Sequence, residues 1–244
     1  MPATMGFFGK LPGYGDFVER NLPQSFIDHW DAWLQQSLAS SQQWLGDQWL
    51  DYYLTAPIYH FALSPGCVDE RCWLGLWIPS VDRVGRYFPL TLVQPFEDDI
   101  FLGAMLLNNE DWFQELDQIA LACINESPTV EAMAEVIQSL QQPQSHPWQI
   151  NTTDSSFNAH DQGITSIVAT EPDRQGTSMM EMLLRQQYNA FSLWCSRSSE
   201  YRPSVFFASK CLPNSEAFTA VLQGQWRQAD ECGNSVDSGS TELT

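Results

Sequence analysis

The chain has 244 residues, 43% hydrophobic and 13% aromatic, with ten Trp and fourteen Phe; such a chain can bury a large aromatic core without disulfides or metals, and the composition excludes an intrinsically disordered protein. Eleven Lys and Arg stand against 30 Asp and Glu, a formal net charge of -19. That balance argues against nucleic acid and anionic membranes as partners, because both are held through Lys and Arg.

From Tyr87 through Asp173 there is no Lys or Arg. The stretch reads either as a solvated acidic face or as a docking face for a basic partner. Cys67, Cys72, Cys123, Cys195, Cys211 and Cys232 include no C-x-x-C pair. The N-terminus lacks a basic, apolar leader and no run approaches the ~20 apolar residues of a membrane span, so reduced thiols in the cytoplasm are expected. Cys67 and Cys72 could approach across a turn, although core or surface thiols are the simpler reading.

Residues 4–9 read as a strand that ends in a Gly/Pro-rich turn over residues 10–16. Phe26, Ile27, Trp30, Trp33, Leu34 and Leu38 recur at helical spacing after Asn21 and Pro23, and a second helix is expected over residues 42–54, stopping before Pro57. Residues 58–63, 72–78 and 87–96 read as strands with short links, which favours antiparallel neighbours. Residues 98–126 and 129–141 are helical by pattern, with Ser127 and Pro128 as cap and first-turn residue of the second. Residues 142–162 read as loop, 164–170 as a strand, and 178–197 as a helix striped by Met179, Met182, Leu183, Phe191 and Trp194. A strand at 204–209 and a helix at 214–222 follow, and residues 229–244 read as an acidic, Ser/Gly-rich disordered tail. The expected architecture is one α/β domain over residues 1–228, a mixed, largely antiparallel sheet with helices on both faces.

Few residues suggest chemistry. Gly6-Phe7-Phe8-Gly9-Lys10 lacks the G-x-x-x-x-G-K-[ST] spacing of a phosphate loop, and Leu11 stands where a Ser or Thr would meet magnesium. His29, His60, His146 and His160 share no metal-ligand spacing, so no metal or cofactor is expected. His160-Asp161 is the pair that hints at acid–base work. The most unusual segment is residues 79–90, Pro79-Ser80-Val81-Asp82-Arg83-Val84-Gly85-Arg86-Tyr87-Phe88-Pro89-Leu90, which sets two of the eleven basic side chains between apolar strands. Two explanations are open: Asp82, Arg83 or Arg86 ties the loop to Asp16 or Glu19 of the N-terminal turn, or Arg83 and Arg86 join Lys10 in an exposed recognition patch.

Phe8-Gly9-Lys10-Leu11-Pro12, Gly15-Asp16-Phe17, Trp30-Asp31-Ala32-Trp33-Leu34 and the 79–90 string together resemble the signature of the TagF (ImpM) family associated with bacterial type VI secretion. Ser192-Leu193-Trp194, Leu212-Pro213, Phe218 and Leu222-Gln223-Gly224-Gln225-Trp226 match the family's C-terminal pattern more loosely. Departures stand at Cys195, where a second Trp is common, at Cys211, where Gly is common, and at His60, where Arg is often found. The resemblance implies a non-enzymatic post-translational repressor that binds the system's forkhead-associated scaffold protein, and it carries no catalytic residues. Lys10, Asp16, Asp82, Arg83 and Arg86 are then the expected partner-binding or loop-anchoring residues. The alternatives are a hydrolase that uses carboxylates or His160-Asp161, and a structural subunit of the secretion apparatus.

Overall fold

A computed structural model describes residues 4–144, 166–169, 174–198 and 204–224. Chain order is β1 (Gly6–Gly9), β2 (Val18–Arg20), α1 (Gln24–Leu45), a 3-10 turn (Gly46–Gln48), α2 (Trp49–Leu54), β3 (Tyr59–Leu63), β4 (Cys72–Ile78) and β5 (Leu90–Phe96). Then come α3 (Leu102–Asn108), α4 (Glu110–Glu126), α5 (Val130–Ser139), β6 (Ser166–Ala169), α6 (Arg174–Gln187), β7 (Phe191–Ser196), β8 (Val205–Lys210) and α7 (Ser215–Gln223). The strands form one eight-stranded sheet in the order β2-β1-β5-β4-β3-β7-β8-β6. Every ladder in it is antiparallel.

The expected α/β sheet with helices on both faces is what forms, because the central strands are apolar on both sides. On β4, Cys72, Leu74, Leu76 and Ile78 enter one core with residues of α3, α4, α5 and α6. Trp73 and Trp77 enter the other, against α1 and α7. Successive side chains of a strand alternate in direction, so one strand serves two cores. The second core is aromatic: Phe26 lies 4.3 Å from Trp73 and Trp30 4.8 Å from Phe61, ring to ring. The indole of Trp30 is satisfied within it, donating to Thr91 Oγ1 at 2.9 Å.

Several expectations are corrected. The helix expected over 42–54 is divided: its start is the end of α1, which runs to Leu45 before Gly46 (φ 53) breaks it, and after the 3-10 turn its remainder is α2, which ends at Leu54 as expected. The helix expected over 98–126 is two, divided at Asn109, whose amide bonds Met105 O and Gln144 O. Ser127 opens no helix; it caps the C-terminus of α4 in the left-handed conformation, and Thr129 caps α5 by accepting from Ala132 N. The strand expected from residue 87 starts at Leu90, since Tyr87 makes only an isolated bridge with Val81. β2 went unrecognised because it has three residues and buries only Val18. The tail 229–244, residues 145–162 of the expected loop, and residues 164, 165 and 170 of the expected strand lie outside the described residues.

The largest correction lies at residues 178–197. The helix ends at Gln187, and Phe191 and Trp194 belong to β7, between β3 and β8 in the sheet. The apolar stripe of α6 is also turned outward: Met179, Met182 and Leu183 are exposed, while Thr177, Glu181 and Leu184 are buried. The close approach of α3 explains this. A Cβ on Gly103 would stand 2.5 Å from Thr177 Cγ2, so only glycine lets the helices meet there. Glu181 then reaches the start of α3, accepting from Leu102 N at 3.0 Å and Gly103 N at 2.7 Å, and Arg185 joins it to Asp99 and Ile100 O.

Burial pushes the Glu181 carboxyl up to about 7 despite those donors. A raised carboxyl favours folding below its unfolded value and loses that contribution as pH rises through the folded one. The fold should therefore lose stability between about pH 4.5 and pH 7 through this group, and Glu181→Gln should flatten that part of a urea-denaturation pH profile. In the second core, Trp30→Ala should cost about 3–5 kcal/mol in the same assay, since a buried indole is removed and the cavity cannot fully collapse.

Candidate functional site

The unusual loop, residues 79–90, folds over the turn that follows β1. Its centre is Asp82, 3% exposed. The Oδ2 atom accepts from Lys10 Nζ at 3.0 Å and from Arg86 Nε at 2.6 Å. The Oδ1 atom accepts from the backbone amides of Val84 at 3.0 Å and Arg86 at 2.9 Å. Four donors thus meet one carboxylate, the condition under which a buried charge is tolerated. Burial alone would push the carboxyl up. The Arg86 amide, the Lys10 ammonium, the Arg86 guanidinium and the Val84 amide outweigh it and hold it well below the usual carboxylate range.

Backbone contacts complete the joint. Gly85 N donates to Asp82 O at 3.0 Å, closing a tight turn in which Gly85 takes φ 88, a value that suits glycine. Arg83 N donates to Tyr14 O at 2.8 Å, and the Arg86 guanidinium donates to Gly15 O at 2.5 Å. Ser80 Oγ donates to Lys10 O at 2.6 Å, and the buried Tyr53 hydroxyl donates to Ser80 O at 2.9 Å. Below the joint, the rings of Phe8, Phe17 and Phe88 meet at 4.9–5.9 Å, with Lys10 Nζ 5.1 Å from the Phe17 ring centre.

This arrangement separates the five expected residues by role. Lys10 and Asp82 are buried and form the anchor itself. Arg86 is shared: one edge grips Asp82 and Gly15, yet 59% of its side chain is exposed. Arg83 is held through its backbone while its side chain is exposed and, among the described residues, makes no ion pair. Asp16 is exposed and accepts from Phe17 N at 2.9 Å. The loop is thus tied to the N-terminal turn, but through the Tyr14 and Gly15 carbonyls and Lys10; no ion pair joins it to Asp16 or Glu19 among the described residues. The expected patch of three cations is two, because Lys10 is internal. Phe17 (38% exposed) and Val84 (66%) add apolar surface to the same unit. Sequence reading passed over both, since nothing in a lone Phe or Val signals that it stays outside.

The residues weighed for other chemistry disperse. His60 is buried against Phe113 at 4.2 Å and meets Asp117 Oδ1 at 2.7 Å, and His29 is exposed. His160 and Asp161 lie outside the described residues. No group of three or more His, Cys, Asp or Glu could hold a metal among the described residues. Lys10, which follows the glycine-rich strand, is committed to Asp82. Cys67 and Cys72 point into opposite cores and do not meet.

Comparison with known proteins bears on the segment that holds this joint. Residues 6–140 match the model of the TagF N-terminal domain, type VI secretion system-associated. The chain belongs to the TagF family. It is also similar to PA0076 of Pseudomonas aeruginosa PAO1, a TagF family member whose crystal structure was determined at 2.05 Å resolution. The identity is 31%, the TM-score 0.74, and the match covers 95% of this chain and 99% of that one. No curated protein matches the chain. Family membership makes this an accessory protein of type VI secretion. No described helix is long and apolar enough to cross a membrane.

The joint makes two predictions. Asp82→Asn should lower the melting temperature by several degrees at neutral pH. A depressed carboxyl favours folding above its unfolded value and loses that contribution as pH falls through the folded one, so the wild type should weaken below about pH 4. Thermal melts from about pH 7 to pH 2 should show Asp82→Asn lacking that component. Arg83→Ala, in contrast, should leave stability within about 0.5 kcal/mol of wild type.

Proposed function

We propose that this TagF family protein is a cytoplasmic, non-enzymatic repressor of type VI secretion, acting after translation by binding the system's forkhead-associated scaffold protein. Family membership supports the setting. The observation that carries a binding role is the joint around Asp82, which spends its buried charges on holding a loop still and leaves Arg83, Val84, Phe17 and one edge of Arg86 outside.

Rigid presentation matters for affinity, because a loop already ordered has less conformational entropy to lose on docking. Arg offers a planar fork suited to carboxylate or phosphate, and apolar neighbours exclude water around it. In a chain of net charge -19, two exposed guanidiniums also form a local positive point on a negative background. That contrast orients an acidic partner surface and disfavours misdocking. Lys10 and Asp82 act in this scheme through loop shape rather than by contact, and Asp16 borders the surface as a negative group.

Isothermal titration calorimetry with the purified forkhead-associated scaffold protein tests both parts. Arg83→Ala/Val84→Asp should weaken binding at least about tenfold, roughly 1.4 kcal/mol, with an unchanged thermal melt. Equal binding by the double variant would remove this surface from the account. Failure of the wild type to bind would remove the partner.

A further inference from the structure

Two cysteines that lie far apart in sequence come together beside the start of β7. Cys67 sits in the turn between β3 and β4, and Cys211 directly follows β8. The Cys211 thiol donates to Cys67 O at 3.4 Å. Cys67 Sγ also donates to Phe191 O at 3.1 Å, and Cys211 N donates to Ala190 O at 3.0 Å, so both turns are fastened to the same corner. Both are free thiols. They differ in access: Cys67 is 6% exposed, whereas Cys211 is half-buried. Cys211 also holds φ 54, a conformation that side-chain-bearing residues adopt at a cost.

Their electrostatic settings differ as well. The neighbouring Cys67 thiol, the Leu212 amide, and the nearby His29 and Lys210 draw the Cys211 thiol below the usual range, against the effect of its partial burial. Cys67 is pushed the other way by the Cys211 thiol beside it and by burial. Elsewhere burial raises the thiols, Cys72 and Cys123 to about 11 and Cys195 to about 12. A thiolate is the reactive form, so reactivity concentrates at Cys211.

We propose that Cys211 and Cys67 form a peroxide-reactive pair, with Cys211 as the attacking thiolate and Cys67 as the resolving thiol that closes an intramolecular disulfide. The Cys211 thiolate attacks one peroxide oxygen; the S–O bond forms, the O–O bond breaks, and the leaving oxygen departs as water or an alcohol after taking a proton. The product is a sulfenic acid at Cys211. Cys67 sulfur then attacks the sulfenic sulfur; the S–S bond forms, the S–O bond breaks, and hydroxide leaves as water with the Cys67 proton. Two thiols are oxidised by two electrons and one peroxide is reduced by two. The link would join the β3–β4 turn to the β8–α7 turn across the corner where Ser64 Oγ receives Phe191 N at 2.8 Å. This inference does not depend on the identity of any protein partner.

The test is oxidation of the reduced full chain with hydrogen peroxide, followed by alkylation of the remaining thiols and non-reducing peptide mapping. A Cys67–Cys211 peptide is expected, and Cys211→Gly, whose glycine suits φ 54, should abolish it with an unchanged thermal melt. In Cys67→Ala, dimedone should trap a sulfenic acid at Cys211 at least about tenfold faster than at Cys72, Cys123 or Cys195, because reaction follows thiolate character and exposure. Absence of the Cys67–Cys211 peptide from oxidised wild type would overturn the proposal. So would a dominant Cys211–Cys232 link, or a Cys211 rate no faster than those of Cys72, Cys123 and Cys195.

Discussion

A carboxylate at 3% exposure must be compensated on every side, and Asp82 meets that condition with two cations and two backbone amides. The donors come from two distant pieces of chain, so satisfying the charge forces those pieces together. Lys10 arrives from the end of β1, an edge-side strand, and Arg86 from the far limb of the loop itself. Once both are engaged, the loop has one conformation, and what it shows to solvent follows. Removing Asp82 would leave the Lys10 ammonium buried and unmatched, and removing Lys10 would take one donor from a buried carboxylate, which makes the joint intolerant of changes at either residue.

The sheet puts this joint where it can be rigid. β1 pairs with β5, and β5 with β4, so the turn after β1 and the loop between β4 and β5 emerge from adjacent strands. Beneath them the aromatic core braces α1 and α2 against the sheet, and Tyr53 of α2 reaches up to Ser80. The acidic helices α4 and α5 cover the opposite face of the sheet. The turn that carries Tyr14 and Gly15 also meets the α4–α5 junction, where Gly13 N donates to Ser127 Oγ and the Tyr14 hydroxyl to Pro128 O, each at 3.0 Å.

Much of this was legible in the residues. The amphipathic stripe of α1, the short links between the expected strands and the helix at 214–222 gave elements close to their observed places, and the 79–90 string stood out because cations are rare in this chain. The failures share physical causes. β7 has Phe191, Leu193 and Trp194 buried on both faces of the sheet, so it lacks the alternation that marks a half-exposed strand, and no Gly or Pro separates it from α6. Ser127-Pro128 has the composition of a helix start, but Ser127 takes φ 47 and ends a helix instead. Periodicity on α6 pointed to its methionines, whereas the buried face is set by a glycine contact and a carboxylate cap that belong to tertiary structure. Lys10 looked available for the same reason: its partner lies 72 residues away. At Cys211 the structure shows what the departure from the family's usual Gly means locally, since φ is 54 there.

Amide hydrogen exchange of the full chain, with and without the forkhead-associated scaffold protein proposed as its partner, tests the central claim most directly. Protection on binding should concentrate at residues 13–17 and 82–86, with these segments already slow to exchange in the free protein because the Asp82 joint holds them. Fast exchange of both segments in the free chain, or protection confined to other parts of the molecule, would contradict the account.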